Sequence, residues 1–400
     1  MLMHPRPALI IFLCAMALIS VGLVMVYSAS AGRAAETQLI RSLSQMERPD
    51  RDVLLSQITI HSSDFAQKQF YWAVLAVLGM FVAFQVGPRF FDRHAGLIML
   101  LGLVGLAAVY VPGLGWEVNG SYRWVKVLGL RVQPSEFAKL AVILYFSWFL
   151  SHHLNQVRSF WRVFAPLYLL MGIACLLIVK EPDLGAAGMV FLACYTILMV
   201  AGTPKRYLLL GLIPVMGKVA YELTVEYRRN RLIAFIWPDL VDPKDTWQLN
   251  QSLTAVSTGG LHGLGLGNGP QKYNFLSEAH TDFIYAVIAE ETGLIGAALV
   301  MTIYVVLTLT SLHVARRVFG SFEGLVATGI ICITGIQAFI NMFVVLGLLP
   351  TKGLTLPLVS YGGSSLVVSC FAVGLLMNIA RTAELERQPA SRALPMEVPV

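Results

Sequence analysis

Charge is what this sequence has least of: Asp, Glu, Lys and Arg make up only 13% of its 400 residues. A soluble domain of that length needs a largely polar surface, so the shortage excludes ordinary packing in water. Cysteine is scarce as well. The five present (Cys14, Cys175, Cys194, Cys332 and Cys370) all lie inside apolar runs. Neither zinc-ligand spacing nor a loop-borne disulfide pattern is there, so they read as small packing residues. No basic stripe stands apart from the hydrophobic segments, which excludes soluble nucleic-acid binding despite a formal charge of +6.

Apolar sequence fills the chain instead. Hydrophobic residues are 56% of it and the mean hydropathy is +0.69, so a bilayer is its solvent. A membrane-crossing helix takes roughly 17–25 apolar residues. Ten stretches come near that: 8–30, 69–87, 94–112, 136–151, 163–180, 185–202, 206–224, 283–312, 323–348 and 365–380. The first exceeds the usual apolar core of a signal peptide, and Ser28-Ala29-Ser30-Ala31-Gly32 after it is a weak cleavage signal, so it reads as a retained helix. Lipid tolerates no open sheet, and uninterrupted apolar runs are not barrel strands. The predicted fold is all-α and polytopic, with about ten transmembrane helices over residues 1–382 and a flexible tail over 383–400.

An even helix count puts both termini on one side. Each short loop on that side carries a basic pair: Arg89 and Arg93, Arg158 and Arg162, Lys205 and Arg206, Arg316 and Arg317. The positive-inside rule weights short loops, so that side reads as cytoplasmic and the protein as a multi-pass protein of the cytoplasmic membrane. Segments 31–66, 113–135, 225–282 and 349–364 then face outward. The first is polar, mixed in charge and without a sharp motif, as expected of a solvated or partner-facing loop. The third, between helices 7 and 8, is long enough to be either functional or disordered. Its Trp237, Trp247, Phe275 and glycine series argue against simple disorder.

Several outward stretches could carry chemistry. From Gly259 to Lys272 glycine occupies nearly every second position, in neither a Walker nor a Rossmann pattern. Two readings stay open: a tight structural loop, or a backbone cradle for phosphate or sugar oxygens with Lys272 as its cation. Asp282 stands where water meets a helix start. It could cap that helix, or serve as a general base whose pKa its apolar neighbours raise. Glu290 and Glu291 follow inside an apolar helix, where carboxylates are costly and seek a polar interior or a partner. Glu136 with Lys139, and Lys218 with Glu222, are spaced to neutralise each other, while Gln337 and Asn341 suit interhelical hydrogen bonding. Arg123, Trp124 and Tyr361 bring a cation and flat surfaces to the mouth of the bundle. These residues describe a polar, acid-bearing cavity, without separating a transporter from a membrane-embedded enzyme.

Taken in order, the motifs resemble those of the SEDS family of bacterial cell-wall proteins, the group of FtsW, RodA and SpoVE. They are Asn119-Gly-Ser-Tyr-Arg-Trp124, Gln133-Pro-Ser-Glu136 with Lys139, Pro182-Asp-Leu-Gly185, Gln248 to Ser252, Gly259 to Asp282, Glu290-Glu-Thr-Gly293, Leu349 to Pro357 and Ser360-Tyr-Gly-Gly-Ser-Ser365. Within the family, the wording at 265–272, 278–282 and 349–354 is similar to the FtsW branch. Two departures stand out: Ser277 where the family usually has proline, and a first outward loop longer than expected.

The resemblance implies a glycosyltransferase that polymerises lipid II into glycan strands at the division septum, with Asp282 as its essential aspartate. It further implies a class B penicillin-binding transpeptidase and other divisome membrane proteins as partners, and membrane lipid around the prenyl tails. Arg123, Lys272 and Lys352 are the candidates for the pyrophosphate. Glu136, Lys139, His280, Ser360, Tyr361, Gly362 and Ser364 are further substrate-site candidates. No cofactor is certain and no metal-ligand cluster is visible; a divalent cation could share the phosphate duty. A lipid II flippase, a non-enzymatic divisome scaffold and a RodA-like elongation role remain the alternatives.

Overall fold

Helices dominate the chain because its apolar runs leave the backbone no hydrogen-bonding partner but itself. The computed structural model describes residues 7–45, 51–118, 121–127, 130–272, 276 and 278–385. Asn119, Gly120, Phe275, Ser277 and the tail beyond 385 lie outside the described residues. The helices in order are α1 Pro7–Gln45, α2 Arg51–Val86, α3 Pro88–Ala108, α4 Pro134–His152, α5 Ala165–Lys180, α6 Leu184–Val200 and α7 Lys205–Glu222. They continue as α8 Glu226–Ile236, α9 Pro243–Gly259, α10 Ile284–Arg317, α11 Phe322–Ile331, α12 Gln337–Val345 and α13 Gly363–Leu385. A π turn, Phe160–Phe164, leads into α5, and another, Cys332–Ile336, joins α11 to α12.

Among the described residues, seven helices have the length and apolarity to cross a membrane: Pro7–Ser30, Ala66–Val86, Pro88–Ala108, Phe160–Lys180, Ile284–Arg317, Phe322–Val345 and Gly363–Leu385. The other three expected spans fall on helices too. Of these, α6 is apolar but only 17 residues long, α4 carries Glu136 and Lys139 near its start, and α7 carries four charges.

Three outward segments differ from expectation. Segment 31–66 is mostly helix, extending α1 to Gln45 and beginning α2 at Arg51. Its residues 33–48 hold no glycine or proline and are rich in good helix formers, so nothing stops the helix at the bilayer edge. Segment 113–135 folds as an antiparallel meander of β1 Gly115–Val118, β2 Ser121–Val127 and β3 Leu130–Val132. Aromatic and β-branched residues at Trp116, Tyr122, Trp124 and Val125 favour that pleated ribbon. The long segment 225–282 contains α8 and α9. Asp242 caps α9, accepting a bond from the Lys244 N–H at 3.0 Å, with Pro243 in its first turn.

Close backbone approach holds the bundle together, as lipid-embedded helices require. A Cβ on Gly374 of α13 would lie 2.1 Å from the Met80 carbonyl of α2. The loop ends sort into two groups. Arg89, Asp92, Ser151, His152 and Ser321 to Glu323 line one cavity, while Pro7, His313, Arg317 and Glu384 line another. Together these two cavities gather the α1 start, the α13 end and two of the four basic short loops, those of Arg89 and Arg317. The groups around Asp282 belong to the opposite set of loops.

Candidate functional site

Asp282 occupies the turn just before α10, part-buried, and two loops wall it in. The first is the 349–361 segment: a Cβ on Gly353 would lie 3.0 Å from the Asp282 Oδ2, so glycine is what lets the carboxylate lie against that backbone. The second is the start of α6, where a Cβ on Gly185 would lie 2.8 Å from the Gly353 carbonyl. Asp183 caps α6, its Oδ1 accepting from the Ala186 N–H at 2.9 Å. Gln133 donates from Nε2 to Asp183 at 3.3 Å and to the Ser135 hydroxyl at 3.0 Å, and from its backbone N–H to the Ser364 hydroxyl at 3.0 Å.

The charges around Asp282 set its acidity. Burial comes first and, with the negative charges of Glu278 and Asp183, pushes its carboxyl up to about 7; Arg123 and Arg231 pull the other way. Arg123, on β2, donates from Nε to the Glu181 carbonyl and from Nη2 to the Pro182 carbonyl, both at 2.8 Å. Its Nη1 has no hydrogen bond among the described residues. Lys352 is exposed beside Gly353.

His280 is buried, with its ring 5.5 Å from that of Tyr361. Ser360 is also buried: its hydroxyl donates to the Thr281 carbonyl at 2.5 Å and accepts from the Leu356 N–H at 2.8 Å. Gly362 leads into α13, its carbonyl accepting from the Leu366 N–H at 2.9 Å. Glu136 and Lys139 are buried and paired with each other at 2.8 Å. Lys218 and Glu222 also pair, with Arg228 joining them.

Lys272 is placed elsewhere. It is buried against Glu291, at 2.7 Å, and also meets the Ser28 hydroxyl at 2.9 Å and the Gly267 carbonyl at 2.7 Å. Glu291 lies two turns into α10, roughly 10 Å of helix beyond the turn that carries Asp282. The Lys272 ammonium is therefore held in an internal ion pair, away from Asp282. The glycine series serves close packing: Gly263, Gly265 and Gly267 have φ of 80°, 92° and 83°, and a Cβ on Gly263 would lie 2.2 Å from the Glu291 carbonyl. Gly293, at φ 69°, kinks α10 where this loop meets it.

Sequence reasoning passed over three groups. Arg231 of α8 and Asp183 act on Asp282 only through tertiary folding, although Asp183 lies inside a quoted motif. Glu181 is fully buried, and both of its carboxylate oxygens lack a hydrogen-bond partner among the described residues. Burial and Asp183 push its carboxyl up to about 8, against the pull of Arg123. A carboxyl whose folded pKa is raised costs no stability below its unfolded pKa. The cost then grows as pH rises, and is complete above about 8. Glu181→Gln is accordingly expected to match the wild type in thermal stability near pH 4. It should be more stable at about pH 9, by something on the order of 4 kcal/mol. Thermal unfolding in detergent across that range checks it.

Fold and site together define a polytopic membrane protein with a part-buried carboxyl, walled by two loops, at one end of its helical bundle. A family model described as "Cell cycle protein", covering FtsW, RodA and SpoVE, matches residues 51–385, and the chain belongs to that family. It is 40% identical over 378 residues to a probable peptidoglycan glycosyltransferase FtsW of Geobacter metallireducens, covering 94% of this chain and 95% of that one. It is 36% identical over 377 residues to the stage V sporulation protein E of Bacillus subtilis, covering 94% and 97%. Its fold is similar to a chain of a peptidoglycan synthase complex in which polymerization and crosslinking are coordinated (TM-score 0.71, 27% identity, 93% and 97% covered). It is also similar to the rod shape determining protein RodA of Thermus thermophilus (TM-score 0.62, 26% identity, 93% and 95% covered).

Proposed function

We propose that this chain is a peptidoglycan glycosyltransferase that polymerises lipid II for septal wall synthesis, with Asp282 as general base. The observation that carries the reading is the part-buried Asp282 carboxyl at a helix mouth, set against the Gly353 backbone, where burial pushes it up to about 7 against the pull of Arg123 and Arg231. Such a group is ionised enough at cytoplasmic-membrane pH to take a proton and basic enough to hold it.

In the reaction, a sugar hydroxyl of one lipid II attacks the anomeric carbon of the growing glycan. Asp282 takes the hydroxyl proton as the new C–O bond forms. The bond to pyrophosphate breaks in line, with inversion, and undecaprenyl pyrophosphate leaves with the electron pair. That leaving group needs positive charge more than a proton, so one carboxylate suffices, unlike the pair in glycosidases. The spare Nη1 of Arg123, exposed Lys352 and Arg231 are the cations to supply that charge. Apolar faces between the helices accept the prenyl tails. A class B penicillin-binding transpeptidase is the partner that crosslinks the product, a pairing supported by the relatedness to the synthase-complex chain. Both termini are assigned to the cytoplasm on the basic short loops.

The test is the full-length protein in proteoliposomes, with and without its transpeptidase, supplied with labelled lipid II. Glycan ladders are the expected product. Lipid II that crosses the bilayer without polymerising would replace this reading with a flippase.

A further inference from the structure

The turn that carries Asp282 has an unusual hydrogen-bonding problem. The ladder of α10 begins at the Phe283 carbonyl, which accepts from the Ala286 N–H at 2.9 Å. The carbonyls of His280, Thr281 and Asp282 stand ahead of that ladder, in a tightly packed part of the molecule, and must find donors elsewhere. All three find them in the 341–361 region. Tyr361 donates its backbone N–H to the His280 carbonyl at 2.9 Å, and Ser360 its hydroxyl to the Thr281 carbonyl at 2.5 Å. Asn341, on α12 and 1% exposed, donates from Nδ2 to the Asp282 carbonyl at 2.8 Å and to the Leu354 carbonyl at 2.5 Å.

Asn341 alone among these donors ties the Asp282 residue itself to the opposite wall of the cleft. Two carbonyls converge on one of its atoms, which fixes the amide orientation even though Oδ1 is buried without a hydrogen-bond partner among the described residues. Leu354 is the residue after Gly353, against whose backbone the Asp282 carboxylate lies. One side-chain nitrogen thus sets the spacing between the base and its wall.

We propose that Asn341 is a positioning residue for glycan polymerisation, holding the Asp282 turn against the 353–354 backbone so that the carboxylate meets the acceptor hydroxyl. The inference rests on the assignment of Asp282 as the base. It concerns placement, since Asn341 acts through the Asp282 backbone and not on substrate. A displacement of about 1 Å at such a group costs on the order of 10²-fold in rate.

The experiment compares Asn341→Ala, Asn341→Asp (same size, no N–H donor) and Asn341→Gln (donor kept on a longer arm) in the lipid II assay. Each is read for kcat, KM, pH profile and thermal unfolding. The expected result for the Ala and Asp variants is a kcat lowered about tenfold or more, with KM nearly unchanged and partial recovery in the Gln variant. In the Ala variant the loosened turn admits water to the carboxyl, and the rise of kcat with pH moves to lower pH, with Glu278, Asp183, Arg123 and Arg231 still facing the group. In the Asp variant the new carboxylate repels that of Asp282 and holds the rise at higher pH than in the Ala variant. An unchanged kcat and pH profile in folded Ala and Asp variants overturns the proposal. So does loss of fold in both, which would make Asn341 a determinant of the bundle alone. Asp282→Asn run in parallel keeps the two ideas apart: if it polymerises normally, the base assignment fails whatever the Asn341 variants do.

Discussion

Asp282→Asn is expected to give a folded, partner-competent protein that makes no glycan polymer, a loss on the order of 10²–10⁴-fold. Asparagine keeps the shape of the carboxylate but cannot accept the acceptor hydroxyl's proton. The fold is expected to survive because the bonds that secure this turn run to backbone carbonyls at 280–282, which the substitution leaves in place. The pH dependence makes the test sharper. The base acts when ionised, so the wild-type rate should climb with pH through about 7. Glu278 raises the carboxyl's pKa and Arg231 lowers it. Glu278→Gln should therefore shift the climb to lower pH, and Arg231→Gln should shift it to higher pH. A wild-type profile flat through neutrality, or normal polymer from Asp282→Asn, would take the base role away from this residue.

The helices were legible in the sequence because apolar runs of bilayer length have few other solutions. What was not legible was the structure of polar segments. Helix α9 announced itself with Asp242 at its cap and Pro243 behind it, but its polar composition hid it inside a supposed loop. The β meander showed alternating aromatic and branched residues over a stretch too short, and too rich in glycine, to stand out. Within the site, the residues alone left Asp282 open between a helix cap and a general base, and the resemblance of the ordered motifs decided between them. Arg231 lies 51 positions before it, and no spacing rule connects the two. Asn341 was read as an interhelical hydrogen-bonding residue; its partners proved to be backbone carbonyls, which carry no sequence signal at all.

Lys272 shows the same limit in its most consequential form, because a buried ion pair and a phosphate-binding lysine beside a glycine series look alike in sequence. In the fold, Lys272 and Glu291 have fully buried side chains. The Ser28 hydroxyl donates to Glu291 at 2.6 Å, and the Gly267 N–H donates to its Oε2 at 3.0 Å. The pair thereby fastens α1, the glycine loop and α10 at a single point. Removing one partner strands a charge out of water, so Lys272→Met is expected to destabilise the protein by about 3–5 kcal/mol. Glu291→Gln should do nearly as much, since the ammonium loses its buried countercharge. The double variant Lys272→Met with Glu291→Gln removes both charges and should recover much of the loss, a coupling that thermal unfolding of the four proteins measures directly. Activity then separates the two roles. If Lys272 serves only the fold, the double variant polymerises lipid II in proportion to the folded protein recovered. If its ammonium belongs on the pyrophosphate, the double variant folds and stays inactive, and the leaving group's cations must be sought in the glycine loop after all.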